Sequence, residues 1–523
     1  MQAMLQSGIN DFQFLPQAVN DTDKAIQFRE LQSKFPAQFE SVFPDRMAFK
    51  TVVIIPSLTL DVEILNKIDG VLYYEERLLC LLMLLRMPHT HLVYITSMPI
   101  DNAIVDYYIH LLPGITGYHA RQRLTLLSCF DASPKALTEK ILERPRLIKR
   151  ILESIPHNHL AHIACFNVTD AERNLALELN LPIYGCDPDL LYLSSKSMGR
   201  KIFRHAGIDV PKGFEDLASK HDIVQALYTL KAADPSLTKA IIKINEGFSG
   251  EGNAVFSFKG APSTENLYQW IEQELPLKLN IVAINLTYAV FMEKFEQMGG
   301  VVEVFVEGLP KHSPSVQCRI NPLGKIDIIS THDQLLGGEG NQVFLGATFP
   351  ANSEYANEIG EIGRVISLEL KKQGVLGRFS IDFISIKENN KWMHYAIEIN
   401  LRKGGTTHPF LMLEYLTGGE YDAEKGSYFT ANKQPRFYIC SDNLQDDKYK
   451  GLTPHDLIDI AICNGLLYDG TSQEGVIFHL ISTLSQYGKL GVLCIGETAE
   501  RAQNFYKKTI EVLSTEGRTR EIK

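Results

Sequence analysis

The stretch of sequence that most constrains the fold runs from Gly374 to Pro409. Two runs rich in Ile, Phe and Tyr flank a polar segment at 387–391, and this pattern predicts a β-hairpin. Side chains alternate between the two faces of a strand. We therefore expect an apolar face made of Phe379, Ile381, Phe383, Met393, Tyr395, Ile397 and Ile399. The opposite face is expected to carry Arg378, Ser380, Asp382, Trp392, His394, Ala396, Glu398 and Asn400.

The polar face of this hairpin brings oxygen-bearing side chains together. A pairing of Ile386 with Trp392 across the turn makes Glu398 the diagonal neighbour of Asp382, ~7–8 Å away between Cα atoms. Asn400 follows on the same face. Two carboxylates and an amide without Cys or His suit a hard cation, so Mg²⁺ or Mn²⁺ is expected rather than zinc. A lone Asp in such a hairpin would more often lie on a solvated face.

Two arginines accompany these oxygens. Arg402 follows Asn400 by two positions, and a guanidinium beside a metal cluster suggests binding of phosphate or of a developing oxyanion. Arg378 shares the predicted face of Asp382 and is a second candidate for binding a phosphate or a carboxylate. Both are candidate catalytic residues.

Length and composition limit the classes of function. A chain of 523 residues is expected to form about two to four domains. A net charge of -10 and a pI near 5.9 argue against a general nucleic-acid-binding protein, since neutralising phosphates needs a basic surface. The apolar run at 78–85 is far shorter than the ~20 residues that span a bilayer, and the first residues lack a signal-peptide pattern. The eight cysteines form no C-x-x-C pair, so we expect reduced thiols and a cytoplasmic protein.

Residues 51 to 185 alternate between strand and helix patterns. Strands are predicted at Thr51–Pro56, His91–Thr96, Leu124–Ser128 and His162–Asn167, with helical patterns between them. Such alternation indicates βαβ units and a parallel sheet covered on both faces. No glycine-rich fingerprint follows these strands, so dinucleotide binding is not expected here.

Lys196 occupies a position suited to phosphate. It falls in the first turn of a predicted helix capped by Ser194 or Ser195, where a cation opposes the helix dipole. Either a phosphate bound at the helix N-terminus or simple solvation of the side chain explains that placement.

Lys243 stands on a predicted strand, Ala240–Ile244, that leads into a glycine-rich loop before a second strand, Ala254–Phe258. The loop carries Gly247, Ser249, Gly250 and Gly252. Glycines let backbone N–H groups fold over a phosphate without a side chain between them. A plain hairpin turn gives the same letters, but a lysine on the preceding strand favours a phosphate-binding lid.

The remaining elements carry no motif and are predicted from periodicity and turn residues. They are a strand at 289–295, a turn, a strand at 301–306, paired strands at 315–320 and 325–330, a loop at 332–350, a helix at 357–371 and a small α/β tail at 475–513.

The block E-x-N-x-R at Glu398 to Arg402 is followed by Gly404-Gly405 and preceded by Asp382 on the first arm of the hairpin. This arrangement resembles the signature of the ATP-grasp superfamily. The resemblance implies a magnesium site at Asp382, Glu398 and Asn400. It implies ATP phosphates bound by Lys196, Lys243 and the loop residues Gly247, Ser249, Gly250 and Gly252. For adenine it implies backbone contacts along Glu293, Lys294 and Phe295, with Glu296 on the ribose and Glu303 or Glu307 as alternatives.

Across the whole chain the sequence is similar to the ATP-grasp peptide ligases of the pheganomycin type. The similarity rests on P-S-L-T-L-D at 56–61, Y-Y-E-E-R at 73–77, Y-G-C-D-P at 184–188, E-I-N-L-R-K-G-G-T-T-H-P at 398–409, and the C-terminal F-H-L-I and G-K-L-G-V-L-C-I-G. It implies a multidomain α/β and α+β protein. An ATP-grasp fold at 191–415 would be preceded by a pre-ATP-grasp-like α/β domain with a parallel sheet at 1–190 and followed by a small C-terminal α/β domain at 416–523.

The same resemblance implies an ATP-dependent carboxylate–amine ligase. A substrate carboxylate would attack the γ-phosphoryl group, and the acylphosphate would react with an amine to give an amide, ADP and phosphate. Lys196, Lys243, Arg402 and the loop 247–252 would offset the charge on the transferring group, and Arg378 is a second candidate for binding phosphate or carboxylate. The expected substrates are small-molecule or peptide carboxylates and amines, without a nucleic-acid or membrane partner, and an oligomer is compatible with the sequence. Two alternatives stay open: an ATP-grasp enzyme that uses a thiol or bicarbonate, and an ATP-binding scaffold without catalysis.

Overall fold

The structure is a computed structural model that describes residues 23–60, 62–246, 252–283, 286–337 and 343–518. The helices are α1 (Asp23–Gln32), α2 (Phe35–Val42), α3 (Val62–Leu65), α4 (Asn102–His110), α5 (Gly117–Arg121), α6 (Leu137–Leu142), α7 (Pro145–Glu153), α8 (Asp170–Leu179), α9 (Lys196–His205), α10 (Lys220–Ala233), α11 (Leu267–Lys278), α12 (Tyr288–Met298), α13 (Ala356–Lys372), α14 (Thr407–Thr417), α15 (Pro454–Cys463), α16 (Leu484–Tyr487) and α17 (Ala499–Arg518). A 3₁₀ helical segment spans Val71–Arg86. None of the described helices combines the length and the apolar character needed to cross a membrane.

The strands are β1 (Lys50–Ile55), β2 (Thr90–Thr96), β3 (Leu124–Ser128), β4 (Leu160–Cys165), β5 (Gly213–Leu217), β6 (Lys239–Ile244), β7 (Asn253–Ser257), β8 (Leu279–Ile281), β9 (Gly300–Val304), β10 (Lys311–His312), β11 (Pro314–Ile320), β12 (Ile326–Gly337), β13 (Val343–Phe349), β14 (Gly377–Glu388), β15 (Lys391–Asn400), β16 (Glu420–Asp422), β17 (Ser427–Phe429), β18 (Phe437–Gln445), β19 (Gly475–His479) and β20 (Lys489–Gly496).

The N-terminal region folds around a parallel sheet with the strand order β3-β2-β1-β4. Strand β1 is buried along its whole length, as expected for a strand covered on both faces. Val53 and Ile55 pack with helices α6 to α8, whereas Val52 and Ile54 pack with the 3₁₀ segment Val71–Arg86. The predicted parallel α/β sheet is confirmed.

An antiparallel sheet follows, with the order β5-β9-β6-β7-β8 and helices α10 to α12 packed on it. The strand predicted at 289–295 is wrong, because this segment belongs to helix α12. The hydroxyl group of Thr287 caps the helix by accepting a hydrogen bond from the backbone N–H of Val290. Phe291, Met292 and Phe295 recur at a helical spacing, so the helix buries all three on one side.

A larger antiparallel sheet has the order β10-β14-β11-β12-β13-β18-β20-β19, and β15 pairs with β14. Helix α13 packs its apolar side against this sheet. The loop predicted at 332–350 is wrong in its described parts, because β12 continues to Gly337 and β13 begins at Val343. These two strands pair with each other. The glycine and polar residues of this segment do not give a strand pattern in the sequence. The two strands form because neighbouring strands on both sides supply hydrogen-bond partners for their backbone groups.

The C-terminal strands extend the same sheet. Ala347 of β13 pairs with Cys440 of β18, which in turn pairs with Leu493 of β20. The predicted boundary between residues 415 and 416 falls within helix α14, and strands before and after it belong to one continuous sheet. The division of the chain into 1–190, 191–415 and 416–523 stays a prediction.

Candidate active site

The register of the hairpin formed by β14 and β15 changes along its length. Near the turn, Lys387 rather than Ile386 pairs with Trp392, so the predicted register is wrong by one residue. A β-bulge then interrupts the pairing, and Asp382 faces Glu398 directly. The two carboxylates are therefore opposite neighbours instead of diagonal ones, which brings them closer together.

The residue that the bulge inserts is Ile397. Before it, Trp392, His394 and Ala396 alternate onto the buried side of the strand, where Trp392 and Ala396 belong to the hydrophobic core. After it, Glu398 turns towards a cavity. The prediction that these three residues share the face of Glu398 is wrong, because one inserted residue exchanges the two faces of a strand.

The oxygens of Asp382 are held by two amide side chains. Asn400 Nδ2 donates to Asp382 Oδ2 at 3.0 Å, and Gln334 Nε2 donates to Asp382 Oδ1 at 2.9 Å. Burial, and after it the neighbouring Glu398 carboxylate, raises the pKa of Asp382 to about 6. Sequence reasoning missed Gln334, since it lies on β12 in the segment that was predicted to be a loop.

The donor chemistry of Asp382, Glu398 and Asn400 fits Mg²⁺. This ion binds proteins through one or two carboxylates and takes its other ligands from water and substrate phosphates. Within the described ranges, no group of three His, Cys, Asp or Glu side chains could hold a metal ion. A cation at these oxygens would therefore depend on phosphate for part of its coordination.

Lys196 reaches the hairpin from the first turn of α9. Ser195 caps this helix by accepting a hydrogen bond from the backbone N–H of Met198, as predicted. Lys196 Nζ lies 2.5 Å from Glu398 Oε1. Burial acts to raise the pKa of Glu398, but Lys196 and then Arg402 hold it below its ordinary value. The ammonium group thus faces the carboxylates of the hairpin.

Lys243, on β6, belongs to a buried ion-pair network. Lys243 Nζ lies 2.5 Å from Glu303 Oε2, and the guanidinium of Arg200 contacts the other oxygen of the same carboxylate. Burial acts to raise the pKa of Glu303, but the two cations outweigh it and hold the pKa below its ordinary value. Both oxygens of the Glu303 carboxylate therefore already pair with a cation, which makes Glu303 a weaker candidate for binding the ribose.

These side chains open into one cavity of about 500 Å³. Its lining includes the predicted residues Lys196, Lys243, Asp382, Glu398, Asn400 and Arg402. We call the part formed by Lys196, Lys243, Glu303, Asp382 and Glu398 the lysine–carboxylate wall. The structure thus places both predicted phosphate-binding lysines beside the predicted metal ligands.

The structure does not place the predicted adenine linker in this cavity. Glu293, Lys294, Phe295 and Glu296 lie on helix α12, and Phe295 is fully buried in the adjoining core. The end of β9 and the residues after it, 304–306, line the cavity instead. A helix uses its backbone groups internally, whereas a chain leaving a strand can offer them to a ligand. The linker prediction is corrected accordingly.

Arg378 is also outside the lining that the described residues form. It lies on β14 opposite Arg319, and burial lowers its pKa while Glu414 acts in the opposite direction. It shares a face with Asp382, but four residues along a strand correspond to about 13 Å. Sequence alternation gave the correct face, but the distance removes Arg378 from the carboxylates.

The predicted glycine loop is described only at one end. Gly247, Ser249 and Gly250 lie outside the described residues. The carbonyl of Gly252 accepts a hydrogen bond from the backbone N–H of Ile244 at 2.9 Å, which begins the pairing of β6 with β7. The predicted strands on either side of the loop are confirmed.

Another part of the cavity is lined by residues to which sequence reasoning gave no role. They are Tyr74, Arg77, Phe166, Asp442 and Lys489, called the Arg77 cluster below. Tyr74 and Arg77 lie within the motif Y-Y-E-E-R, so a signal for them was present. Lys489 lies within the motif G-K-L-G-V-L-C-I-G, whereas Asp442 had no signal. Only the order of strands in the large sheet brings β18 and β20 to this place.

Comparisons with known proteins relate this fold and site to those of ATP-grasp proteins. Residues 189–282 and 257–424 match the family model described as IQCH-like, ATP-grasp. Residues 456–509 match the model described as PGM1 C-terminal domain. Residues 189–424 are thus similar to an ATP-grasp family, and a second recognisable region lies near the C-terminus.

Two curated proteins and one solved structure are similar to this chain over most of its length. It is 27% identical over 474 residues to L-propargylglycine--L-glutamate ligase of Streptantibioticus cattleyicolor, a match that covers 89% of this chain and 94% of that protein. It is 22% identical over 547 residues to IQ motif-containing protein H of Danio rerio, covering 94% of this chain and 51% of that protein. The biotin carboxylase–β,γ-ATP complex from Campylobacter jejuni covers 90% of this chain and 96% of its own at a TM-score of 0.52 and 14% identity. This last likeness shows the fold alone.

Proposed function

We propose that this chain is an ATP-dependent carboxylate–amine ligase that forms an amide bond through an acylphosphate and releases ADP and phosphate. The observation that carries the proposal is the convergence of Lys196, Lys243 and the Asp382–Glu398–Asn400 group on one cavity. The similarity to a ligase along 89% of the chain supports it.

The lysine–carboxylate wall would bind the triphosphate. Each lysine already lies 2.5 Å from a carboxylate, so its ammonium group is positioned before a nucleotide binds. Mg²⁺ held by Asp382, Glu398 and Asn400 would supply positive charge to offset that of the phosphates. The backbone at 304–306 is the part of the cavity lining that we assign to adenine.

Arg402 would stabilise the transferring phosphoryl group. Its Nη2 lies 3.4 Å from Asn400 Oδ1, and its Nη1 donates to the carbonyl of Lys403 at 3.1 Å. These contacts fix the guanidinium beside the metal oxygens. A planar guanidinium suits two phosphate oxygens at once, and such preorganised charge lowers the barrier to phosphoryl transfer.

The reaction has two steps. A carboxylate oxygen of the first substrate forms a bond to the γ-phosphorus while the bond to the ADP oxygen breaks. The amine nitrogen then bonds to the acyl carbon, the bond from that carbon to the phosphate oxygen breaks, and the amine loses a proton. The substrates that we propose are a small-molecule or peptide carboxylate and an amine; the cytoplasmic location and an oligomeric state stay predictions.

The test is release of ADP and phosphate with Mg²⁺, ATP and paired panels of carboxylates and amines. Lys196→Met should weaken ATP binding by at least about tenfold, which corresponds to about 1.4 kcal/mol. Lys201→Met is the matched control on the same helix, since Lys201 pairs with the exposed Asp216. The product mass must equal that of the amide. A thioester, a carboxylated product, or ATP binding without turnover on any pair would contradict the proposal.

A further inference from the structure

The Arg77 cluster lines the same cavity as the lysine–carboxylate wall but is built from distant parts of the chain. Tyr74 and Arg77 belong to the 3₁₀ segment, Phe166 follows β4, and Asp442 and Lys489 lie on β18 and β20. Residues three apart on a 3₁₀ helix eclipse each other, so Tyr74 and Arg77 project on the same side. The tertiary structure thus gathers two cations, one anion and two aromatic rings at one place.

In the part of the chain that the structure describes, the Arg77 guanidinium is held by packing against aromatic rings and not by hydrogen bonds. Its carbon lies 4.0 Å from the centre of the Tyr74 ring and 5.1 Å from that of Phe166. Contact with two rings limits the motion of the guanidinium plane and leaves its N–H donors available. Lys489 Nζ donates to the hydroxyl group of Tyr74 at 2.8 Å, which fixes the first ring in turn.

Arg77 and Asp442 form an incomplete ion pair. Arg77 Nη2 lies 3.6 Å from Asp442 Oδ2, which is too long for a hydrogen bond. Among the described residues, neither side chain has a hydrogen-bond partner, although the two are only 16% and 17% exposed. Such largely buried charged groups normally have partners. Both therefore have unused hydrogen-bonding capacity at the wall of a cavity.

A β-bulge turns Asp442 towards this cavity. Ser441 pairs with Val492, and the next residue in register is Leu444, so Asp442 and Asn443 are left out of the ladder. The bulge is held by Ser441 Oγ, which donates to the carbonyl of Leu345 at 2.6 Å and accepts from the backbone N–H of Asn443 at 3.1 Å. Bulges of this kind re-aim side chains beside active sites.

The cluster adjoins the reacting end of the nucleotide site. The carbonyl of Phe166, whose ring lies against Arg77, accepts a hydrogen bond from the backbone N–H of Lys403 at 3.1 Å. Lys403 directly follows Arg402, the candidate for the transferring phosphoryl group. A ligand held by Arg77 and Asp442 would therefore lie next to the site where the acylphosphate is proposed to form.

We propose that the Arg77 cluster binds the amine substrate and that this substrate is an amino acid with a free carboxylate. Arg77 binds the carboxylate in a fork of two N–H donors, and Asp442 binds the adjacent ammonium group. Neighbouring opposite charges in the ligand match neighbouring opposite charges in the protein, and a simple amine would leave Arg77 without a partner. This assignment rests on the proposed ligase function and names the substrate class of its second step.

Calorimetric titration of the Mg²⁺–ADP-bound protein with each L-amino acid and with its α-amide tests the assignment. At least one amino acid should bind about 100-fold more tightly than its amide, because the amide leaves a largely buried guanidinium unpaired. Arg77→Ala should remove that preference, and Asp442→Asn should weaken binding of the amino acid by at least about tenfold. Arg121→Ala and Asp447→Asn are matched controls, since both residues are outside the lining and Asp447 is 87% exposed.

The outcomes separate this assignment from the ligase function. If no amino acid binds more tightly than its amide, or if Arg77→Ala keeps the preference while thermal unfolding shows it folded, the assignment is overturned. ADP release with simple amines at the rate seen with amino acids would also overturn it, while the ligase function would stand. If Lys196→Met and Glu398→Gln both keep full nucleotide binding, the ligase function is overturned instead.

Discussion

The lysine–carboxylate wall and the Arg77 cluster share one cavity but hold their charges differently. In the wall, Lys196 and Lys243 each lie 2.5 Å from a carboxylate. In the cluster, Arg77 and Asp442 stay 3.6 Å apart. In the wall, ion pairs already hold the two ammonium groups in place. In the cluster, the charged groups of Arg77 and Asp442 can still form hydrogen bonds with a ligand. A cavity can therefore contain one region that is preorganised and another that a ligand completes.

The largest expected effect is on the wall. Glu398→Gln removes one of the proposed metal ligands and leaves Lys196 without its partner, so kcat/KM for ADP release should fall by about 10³-fold. The measurement is the dependence of the rate on Mg²⁺ concentration. Glu388→Gln, at the exposed end of the same hairpin, is the control and should keep the wild-type rate. Full turnover by Glu398→Gln would show that the wall does not bind the metal.

The second prediction concerns Lys403, which follows Arg402 in the chain and donates a backbone hydrogen bond to Phe166 of the Arg77 cluster. Its ammonium group contacts the carbonyl of Cys165, and burial lowers its pKa from 10.5 to about 8. Between these two values the unfolded chain binds more protons than the folded chain, so the free energy of unfolding rises with pH.

The contribution of Lys403 to this rise is at most about 3 kcal/mol between pH 8 and 10.5. Urea unfolding at several pH values should show a smaller rise in Lys403→Met than in the wild-type protein. Lys387→Met is a control on the same hairpin, since Lys387 pairs with the exposed Glu354. Identical pH dependence in the wild-type protein and in Lys403→Met would mean that this lysine keeps an ordinary pKa.

The smallest expected effect is on adenine binding, and it tests whether adenine lies at the end of β9. Phe305→Ala should weaken ADP binding by about five- to tenfold, since a ring against adenine contributes roughly 1 kcal/mol. Glu293→Ala, on the exposed side of α12, should change the dissociation constant by less than about twofold. Calorimetric titration with ADP measures both. The reverse order of effects would restore the linker that the sequence predicted.

Periodicity predicted much of the fold correctly. The parallel strands β1 to β4, helix α9 with its Ser195 cap and helix α13 were all expected from local patterns, and all are confirmed. These elements have apolar residues at one regular spacing, so a short window of sequence contains the information.

Bulges and mixed patterns limited the prediction. The inserted Ile397 changes the faces of β15, and neither composition nor spacing marks it. At 289–295, a short apolar run satisfied strand and helix patterns alike, and packing on the antiparallel sheet selected the helix. Gln334 was missed because its strand is stabilised by its neighbours rather than by its own residues.

The sequence alone predicted Lys196, Lys243, Asp382 and Glu398 as site residues, because helix capping, strand alternation and a short signature each act over a few positions. Only the tertiary structure decided the distances: it set Asp382 opposite Glu398, removed Arg378 from the site and gathered Arg77, Asp442 and Lys489. Contacts between residues hundreds of positions apart depend on the order of strands in a sheet and on bulges within it, and these follow from the packing of the whole chain.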